Sequence, residues 1–323
     1  MLNEKILHIL ECNRGEIVTG GYIAAQLKVS RTAVWKAIAA LRDEDLNKIE
    51  SIPNSGYRLS PDSDGLCGGI ITDYLQTNTF GKSLKILDEI DSTNTYLCSL
   101  DAAGLPEGHT VIARHQTGGR GRLGRPFVCT RGGGIYMSVL LKPRLPISET
   151  PFITICAAVA VVRAVRDVCG ITADIKWVND IYANNKKLCG ILTEASVTAE
   201  VSAIDRAVVG IGINTGEISP EVHDIATSIY EQSGIRGIRN KLIAAVLNQF
   251  EVIYSAFSQN GKKADILSEY CERLFVLGRQ VHVSEHGRAY TASVHGIDES
   301  GSLIVKRADG EVIHLSAGEI SLC

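Results

Sequence analysis

The chain has 323 residues, of which 21% are charged and 45% hydrophobic, and its formal net charge at pH 7 is −3. This length predicts two or three domains with enough apolar residues for a sizeable core. Because the charges nearly balance, a surface that binds nucleic acid must be confined to one part of the chain.

The cysteines and the hydropathy pattern predict a soluble protein of the cytoplasm. Nine cysteines are scattered singly and none forms a Cys-x-x-Cys pair, which favours reduced thiols over a zinc ribbon, a redox motif or a disulfide framework. The N-terminal residues lack the pattern of a signal peptide. The most apolar stretch, 152–162, is broken by Arg163 and is shorter than the ~20 residues that a membrane span needs. We therefore expect no membrane partner.

Residues 1–62 have the pattern of a winged helix-turn-helix domain. Three amphipathic helical segments are followed by two strand-like runs, 49–52 and 57–59, around a turn that contains proline and glycine. Ser30 is suited to cap the third helix, and residues 28–42 contain four basic side chains and no acidic one. In a helix-turn-helix motif the second of the two helices enters the major groove of DNA, and here that helix is the third helix of the domain.

The third helix is the candidate DNA-binding element. Its apolar residues Val34, Ile38 and Leu41 share one face. The candidate DNA-binding residues are Ser30, Arg31, Thr32, Trp35, Lys36 and Arg42. The same pattern also fits a solvated basic helix in a small domain that binds protein.

Two further domains are predicted, at 66–277 and 278–323. In the first, strands are predicted at 84–90, 110–113, 135–141, 174–183, 188–194 and 207–213, and helices at 69–76, 94–103, 150–169, 239–257 and 263–274. A hairpin over 174–194, turning at Asn184-Asn185, favours a mixed or antiparallel sheet with helices on one side over repeated βαβ units. Short alternating runs in the last domain predict a small β-barrel.

The strongest chemical signal is the glycine- and arginine-rich segment 117–125. No acidic residue occurs from 108 to 148, while arginines accumulate. Glycines let the backbone approach a ligand closely, and guanidinium groups offer paired donors to phosphate or carboxylate. Residues 119–124 also fit G-x-G-x-x-G, but the segment leads into a strand rather than a helix and the next acid is Glu149, so a dinucleotide fold is not expected. The pattern of a phosphate-binding Walker A loop is absent as well.

Further polar motifs lie near predicted strand ends. Lys176-Trp177-Val178-Asn179-Asp180 is followed on the partner strand of a hairpin by Lys186-Lys187, so a lysine can reach the same cleft and stabilise a charged transition state. Taken alone, either lysine is better explained as an exposed strand residue. Asp91-Ser92-Thr93-Asn94 closes a strand and can simply cap a helix. The glycines of 209–214 leave room for a flat ligand.

In their order along the chain, five motifs resemble those of the biotin protein ligases, specifically the bifunctional class that also represses the biotin operon. They are Ser92-Thr93-Asn94, Gly119-Arg120-Gly121-Arg122-Leu123-Gly124-Arg125, Lys176-Trp177-Val178-Asn179-Asp180, the run from Lys187 to Glu194, and Gly210-Ile211-Gly212-Ile213-Asn214. The resemblance implies an α+β protein with a winged helix-turn-helix domain, a central mixed sheet of class II synthetase type and an SH3-like C-terminal β-barrel. Two positions depart from the family: Val178 replaces a common proline, and Phe127 stands where tryptophan is frequent.

The resemblance also implies the reaction. The carboxylate of biotin would attack the α-phosphate of ATP, with Mg²⁺ bridging the phosphates, and biotinyl-5′-AMP would then give biotin to a lysine of a biotin carboxyl carrier protein. The catalytic residues would be Lys187, Arg122 and Arg120. Biotin would be bound by Ser92, Thr93, Asn94, Gln116, Arg120, Gly121, Arg122, Lys187 and Gly190. The nucleotide would be bound by Arg122, Arg125, Phe127, Lys176, Asn179 and Asn214, and the metal ligands stay unassigned.

The intermediate must be protected from water. Residues 117–134 are expected to be poorly ordered without ligand and to close over biotinyl-AMP, which water would otherwise hydrolyse.

Regulation follows from the same resemblance. The liganded chain would form a homodimer and bind operator DNA of the biotin genes, with DNA affinity coupled to ligand occupancy. Two alternatives stay open: a ligand-sensing regulator without ligase activity, which would not need Lys187, and a lipoate-type acyl ligase with the same central fold.

Overall fold

The computed structural model describes residues 2–43, 46–197, 203–285 and 288–322. The N-terminal domain consists of helices α1 (Leu2–Cys12), α2 (Gly20–Leu27) and α3 (Arg31–Asp43) and strands β1 (Ile17–Val18), β2 (Ile49–Ile52) and β3 (Gly56–Leu59). The strands form an antiparallel sheet in the order β1-β3-β2. The predicted winged helix-turn-helix fold is confirmed, and the one unpredicted element is β1, whose two residues are too few to show an alternation.

Helix capping explains where α2 and α3 begin. The hydroxyl of Thr19 accepts the backbone N–H of Tyr22 at 3.1 Å, and that of Ser30 accepts the N–H of Ala33 at 3.1 Å. Each bond satisfies an amide that has no partner within its helix. The buried core of the domain contains the predicted Val34, Ile38 and Leu41 of α3, together with Ile6 and Leu10 of α1 and Ile23 of α2.

The segment that follows the wing, residues 60–65, is packed against the domains on either side. Ser63 is fully buried, and Arg14 donates to the carbonyl oxygens of Pro61, at 2.9 Å, and of Ser63. Arg239, from the central domain, is also buried and donates through Nε to the carbonyl of Asp64 at 2.9 Å. This segment is therefore fixed to both domains that it connects.

The central domain is built on a seven-stranded sheet. Its strands are β4 (Leu84–Ile90), β5 (Thr110–Gln116), β6 (Gly134–Leu141), β7 (Asp174–Lys176), β8 (Asp180–Ala183), β9 (Lys186–Val197) and β10 (Ile204–Asn214), in the order β4-β5-β6-β10-β9-β8-β7. The pair β4–β5 is parallel and the other pairs are antiparallel, as the predicted mixed sheet requires. The helices are α4 (Gly68–Tyr74), α5 (Thr93–Ser99), α6 (Thr150–Cys169), α7 (Ile229–Ser233), α8 (Arg239–Asn260) and α9 (Ala264–Glu272).

Two of the predicted elements are interrupted by a turn of the chain. The strand predicted over 174–183 is interrupted by a turn at Trp177-Val178-Asn179, with a cis peptide bond between Trp177 and Val178. Tryptophan and valine favour strands, so their composition hides this turn. The helix predicted over 94–103 ends at Ser99, because Asp101 caps a separate helical turn by accepting the N–H of Ala103 at 2.9 Å.

The expectation that all helices lie on one side of the sheet is wrong. Helices α6 and α8 cover one face and build the main core with residues such as Ile112 and Met137. The alternate residues Val111 and Leu140 point to the other face, where they pack with Leu97 of α5. Since α5 is short, it covers only part of this second face and leaves the rest open.

The C-terminal domain is an all-antiparallel sheet of five strands. They are β11 (Gln280–Glu285), β12 (Arg288–Ile297), β13 (Leu303–Arg307), β14 (Val312–Leu315) and β15 (Glu319–Leu322), in the order β14-β13-β12-β11-β15. The predicted alternation is confirmed at Val281, Val283, Leu303 and Val305, which are buried in the core shared with the central domain.

Two expectations about the whole chain concern its thiols and its hydropathy. The cysteines at the described positions are free thiols, and Cys323 lies outside the described residues. Among the helices that the structure describes, none combines the length and the apolar character that crossing a bilayer requires.

Candidate active site

A cavity of about 550 Å³ lies on the open face of the central sheet, between α5, the arginine-rich segment and the C-terminal domain. Every residue predicted to contact biotin or the nucleotide lines it, except Asn214. The predicted residues that line it are Ser92, Thr93, Asn94, Gln116, Arg120, Gly121, Arg122, Arg125, Phe127, Lys176, Asn179, Lys187 and Gly190. The fold therefore brings together motifs that are dispersed along the sequence.

A buried network of neutral polar groups forms one end of the cavity. Thr93 donates to the side-chain oxygen of Gln116 through its backbone N–H at 2.7 Å and its hydroxyl at 3.0 Å. The hydroxyl of Ser138 lies 2.7 Å from the Thr93 hydroxyl and 2.6 Å from the amide oxygen of Asn94. Ser92 caps α5, and its side chain is buried like those of Thr93 and Asn94. Because these groups have partners, the network holds its geometry without a ligand.

Asn94 occupies space that a glycine leaves free. A Cβ atom at Gly210 would lie 2.3 Å from the Asn94 side-chain oxygen, so any larger residue would displace it. The Asn94 amide donates to the carbonyl of Leu192 at 3.2 Å and to the carboxylate of Glu194 at 2.8 Å. That carboxylate also lies 3.5 Å from the guanidinium of Arg120. Glu194 thus links the neutral network to the arginine-rich segment.

The arginine-rich segment is folded back on itself beside the cavity. The N–H of Gly121 donates to the carbonyl of Arg125 at 2.7 Å, and the N–H of Phe127 donates to that of Gly119 at 2.9 Å. Arg122 donates to the side-chain oxygen of Asn179 at 3.4 Å. These bonds direct positive charge toward the cavity.

The C-terminal domain closes the far end of the cavity. Arg125 forms an ion pair with Glu319, and Arg122 donates to the carbonyl of Gly318 at 3.4 Å. His282, Ser284 and Ser321 also line the cavity from this domain. No site residue was predicted in 278–323, because no motif in that segment indicates that it packs against the cavity.

The ring of Phe127 covers a strip of glycines on the sheet. A Cβ at Gly212 would lie 2.7 Å from the Phe127 ring, and one at Gly190 would lie 3.2 Å from it. The ring also meets Tyr136 edge to face, with centroids 6.5 Å apart. The strip was predicted to leave room for a flat ligand, and in this structure the chain's own aromatic ring takes that room.

Two lysines, Lys176 of β7 and Lys187 of β9, face the cavity. Lys187 forms an ion pair with Asp180 at 2.8 Å. Burial lowers the pKa of Lys176, and Asp180 offsets part of that effect, while burial raises the pKa of Tyr182 to about 12. The Lys176 ammonium lies 5.5 Å from the centroid of the Tyr182 ring. A desolvated ammonium without a full counter-charge favours the binding of an anion.

Some predictions of position need revision. Asn214 supports the site from outside the cavity: its amide donates to the carbonyl of Thr227 at 3.0 Å and to that of Lys187 at 3.4 Å. Several residues that line the cavity were not predicted as site residues, namely Tyr136, Trp177, Asp180, Tyr182, Leu192 and Ile225. Ser138, which lies behind the cavity, was not predicted either, although a serine within the apolar run 135–141 was a usable signal.

The predicted DNA-binding residues form an exposed face on α3. Arg31, Thr32, Trp35, Lys36 and Arg42 are exposed, and Trp35 keeps 60% of its surface accessible. Arg42 differs from the others because it donates to the carbonyl of Ile49 at 2.8 Å and to the hydroxyl of Ser51 at 2.7 Å. It therefore ties the helix to the wing.

Three family models match consecutive parts of the chain. A helix-turn-helix domain model matches residues 3–58, the biotin/lipoate A/B protein ligase family model matches 86–214, and the biotin protein ligase C-terminal domain model matches 276–323. These matches fall on the three domains seen in the structure.

Individual proteins resemble the chain over most of its length. The bifunctional ligase/repressor BirA of Bacillus spizizenii is 35% identical over 96% of this chain and 95% of its own length, and BirA of Escherichia coli is 29% identical over 95% and 94%. A structure of the biotin protein ligase from Aquifex aeolicus in complex with biotin and ATP has a TM-score of 0.65 and 30% identity, and covers 75% of this chain and 99% of that one. The chain therefore belongs to the BirA family of bifunctional ligase/repressors, as a biotin protein ligase with an N-terminal helix-turn-helix DNA-binding domain.

Proposed function

We propose that the chain activates biotin with ATP to form biotinyl-5′-AMP and transfers the biotin to a lysine of the carrier protein of acetyl-CoA carboxylase. The observation that carries this proposal is the composition of one cavity, in which a buried neutral network lies beside a cluster of cationic side chains. That cluster, named here the cationic cluster, consists of Arg120, Arg122, Arg125, Lys176 and Lys187. A neutral bicyclic head with a carboxylate tail, together with a nucleotide, matches this division.

The neutral end suits the ureido ring of biotin. The ring carries polar groups but no charge, and each of them would lose about 1–3 kcal/mol if it were buried without a partner. Thr93, Asn94 and Gln116 offer both donors and acceptors there. The carboxylate of biotin would then extend toward Arg120 and Arg122.

The cationic cluster suits the phosphates of ATP and the negative charge that develops during adenylation. Lys187 and Arg122 would stabilise the α-phosphate as biotin attacks it, and Arg125 would face the departing pyrophosphate. Before ligand binds, three members of the cationic cluster are already paired: Lys187 with Asp180, Arg125 with Glu319 and Arg120 with Glu194. When a phosphate enters the cavity, its oxygens would replace the carboxylates as the partners of these cations.

Mg²⁺ fits this site as an ion that arrives with the nucleotide. The carboxylates that line the cavity in the described residues are Asp180 and Glu319, and each is paired with a cation. Mg²⁺ usually takes most of its ligands from phosphates and water and only one or two from protein carboxylates. Asp180 and Glu319 are the groups that would hold it, and it would neutralise phosphate charge.

Phe127 would form a cover over the nucleotide. A flat ligand on the strip formed by Gly190 and Gly212 must first displace the ring, because a Cβ at Gly212 would already lie 2.7 Å from it. The displaced ring can then stack on the adenine, although phenylalanine offers a smaller face than tryptophan.

Biotin-dependent exchange of labelled pyrophosphate into ATP tests this proposal. We expect exchange with biotin and not with lipoate, and a loss of about 10²–10³ in rate for Arg122→Ala or Lys187→Ala. Lys186→Ala is a matched control, since Lys186 is the adjacent lysine and donates to the carbonyl of His223 at 2.7 Å instead of facing the cavity. Unchanged exchange in both cavity variants would refute the assigned roles, and exchange with lipoate would identify a different acyl substrate.

We further propose that the liganded chain represses the biotin genes as a homodimer on operator DNA. Contacts between the DNA-binding domain and the catalytic domain support a link between occupancy and DNA affinity. Arg239 contacts Asp64 of the connecting segment and donates to the carbonyl of Gly134, where the ligand segment 117–134 ends, at 3.2 Å. Gel shifts with operator DNA, with and without biotin plus ATP, test this proposal, and a ligand-independent shift would refute it.

A further inference from the structure

We propose that the chain carries a binding site for a transition-metal ion of the Zn²⁺ class where α1 meets α4. The ligands are His8 and Cys12 of α1 and Asp73 of α4. In the described residues this is the one group of three histidine, cysteine or carboxylate ligands whose donor atoms all lie within 4.8 Å of one another. The site lies outside the cavity described above and does not depend on the function proposed for it.

The distances are close to those of a metal site. His8 Nε2 lies 2.7 Å from an oxygen of Asp73 and 4.0 Å from Cys12 Sγ. In a tetrahedral site with bonds of ~2.0 Å to nitrogen or oxygen and ~2.3 Å to sulfur, donor atoms are about 3.5 Å apart. Small side-chain rotations would therefore bring all three ligands into place.

The backbone prepares this arrangement. His8 and Cys12 are four residues apart on one helix and so project from the same face. Gly69 lets α4 approach that face, since a Cβ there would lie 2.6 Å from the His8 ring. The imidazole consequently lies against the backbone of α4, with Nε2 directed toward Asp73.

The ligand chemistry selects a borderline-soft ion. Thiolate and imidazole bind Zn²⁺, Co²⁺ and related ions, whereas Mg²⁺ and Ca²⁺ prefer oxygen ligands alone. Burial raises the pKa of the Cys12 thiol, and the carboxylates of Asp73 and Glu11 raise it further. A bound divalent ion favours the thiolate, which is the form of cysteine that binds metal.

The consequence of such a site is a bridge between domains. Helix α1 belongs to the DNA-binding domain and α4 to the catalytic domain, so one ion would join the two. Cys12 and Asp73 are exposed, which leaves the fourth position open to water, as in three-ligand zinc sites. Because the ion would bind the folded state and not the unfolded state, it would also raise the free energy of unfolding.

Titration of the full chain with Co²⁺ tests the site. We expect one equivalent to produce the charge-transfer absorption of a cobalt–thiolate bond and excess Zn²⁺ to remove it. Loss of an outer-shell partner alone already weakens metal binding by about 10–100-fold, so Cys12→Ser should lose the absorption and weaken Zn²⁺ binding by about 100-fold or more. Asp73→Asn keeps an oxygen that can accept from His8 but loses the carboxylate, and should weaken binding by about tenfold or more.

The control is Cys98→Ser, which changes a half-buried cysteine of α5 and should leave the absorption unchanged. A second measurement follows thermal unfolding: Zn²⁺ should raise the midpoint of the parent chain and of Cys98→Ser, and not that of Cys12→Ser. Absence of the cobalt–thiolate absorption in the parent chain, or its persistence in Cys12→Ser, would overturn the proposal. Equal Zn²⁺ affinity of Asp73→Asn and the parent would do the same.

Discussion

Leu46 of the DNA-binding domain packs directly against Gly132 in the ligand segment. A Cβ at Gly132 would lie 2.8 Å from Leu46 Cδ1, and the backbone there has a φ of +72° that favours glycine. The wing side of the DNA-binding domain therefore touches the same segment that is expected to close over biotinyl-AMP.

We predict that Leu46→Ala weakens the effect of ligand on DNA affinity. Removing the side chain deletes a contact between the two domains, and residues that carry coupling typically change it by about 0.5–2 kcal/mol. Gel shifts with and without biotin plus ATP measure the change, and pyrophosphate exchange should stay near the parent rate. Val252→Ala, at an exposed position of α8, serves as the control. A full ligand response in Leu46→Ala would show that this contact transmits nothing.

Segment 117–134 should be cut by protease faster in the empty chain than in the liganded one. Its glycines and exposed arginines favour a mobile backbone, and ligand would order it. Limited proteolysis with and without biotin plus ATP, read by mass spectrometry, locates the cuts. Cutting within α8 provides the internal reference. Equal rates in both states would contradict the prediction.

Ser138→Ala should raise the KM for biotin while ATP binding changes little. The substitution removes the hydroxyl between Thr93 and Asn94, and a buried polar group left without its partner costs about 1–3 kcal/mol. We expect KM for biotin to rise by about tenfold or more, since 1.4 kcal/mol corresponds to a factor of ten. Steady-state exchange kinetics measure both constants. If KM for ATP rises equally, the network is structural and not specific to the biotin end.

Gly212→Ala should weaken ATP binding. Its Cβ would lie 2.7 Å from the Phe127 ring and would stand on the surface where a flat base is expected to lie. We expect a rise of about tenfold or more in KM for ATP, corresponding to at least about 1.4 kcal/mol. Gly104→Ala is the control, since a Cβ there has no neighbour within 4 Å. Unchanged kinetics in Gly212→Ala would show that the base does not lie on this strip of glycines.

Glu251→Gln should destabilise the chain at neutral pH and much less in acid. The carboxylate accepts from the N–H groups of Asn78, Thr79 and Phe80 and from the Thr79 hydroxyl. Burial raises the pKa of Glu251, but these hydrogen bonds outweigh it, so the pKa lies below its ordinary value of 4.5. A depressed pKa gives stability that is present above the unfolded value and is lost as pH falls through the folded one.

We expect the free energy of unfolding at pH 7 to drop by about 1.5–3 kcal/mol, the contribution typical of hydrogen bonds to a charged group. Denaturant unfolding from pH 7 down to about pH 3 measures it, and the difference from the parent should shrink below about pH 4.5. Glu272→Gln, at an exposed position, should show no such loss. A pH-independent difference would mean that packing, rather than charge, explains the effect.

Local patterns predicted much of the architecture. Periodicity located the faces of α1 to α3, and the bounds of β4 and α6 coincide with the predicted 84–90 and 150–169. The turn at Trp177-Val178-Asn179 was missed because its residues favour strands. The glycine and arginine composition of 117–125 indicated anion binding, since that signal is local and chemical.

The rest of the site depends on contacts between distant segments. Glu319 reaches Arg125 only because β15 docks against the central domain, and Ser138 joins Asn94 across 44 positions of the chain. Neither contact can be predicted from the periodicity of the sequence. Asn214 belongs to one of the five motifs, but its amide donates to carbonyl groups outside the cavity. The spacing of residues along the chain does not show in which direction this side chain points.

The burial of Ser63 and Arg239 limits how far this protein can be divided. Separation at residue 62 would remove Arg14, which donates to the carbonyl of Ser63, and would leave Asp64, a partner of the buried Arg239, beside a new N-terminus. In a catalytic half expressed alone, the support of Gly134 by Arg239, at the end of segment 117–134, would therefore be weakened. The DNA-binding domain and the catalytic domain therefore share one structural support in this chain, and a change at Ser63 or Arg239 would affect both.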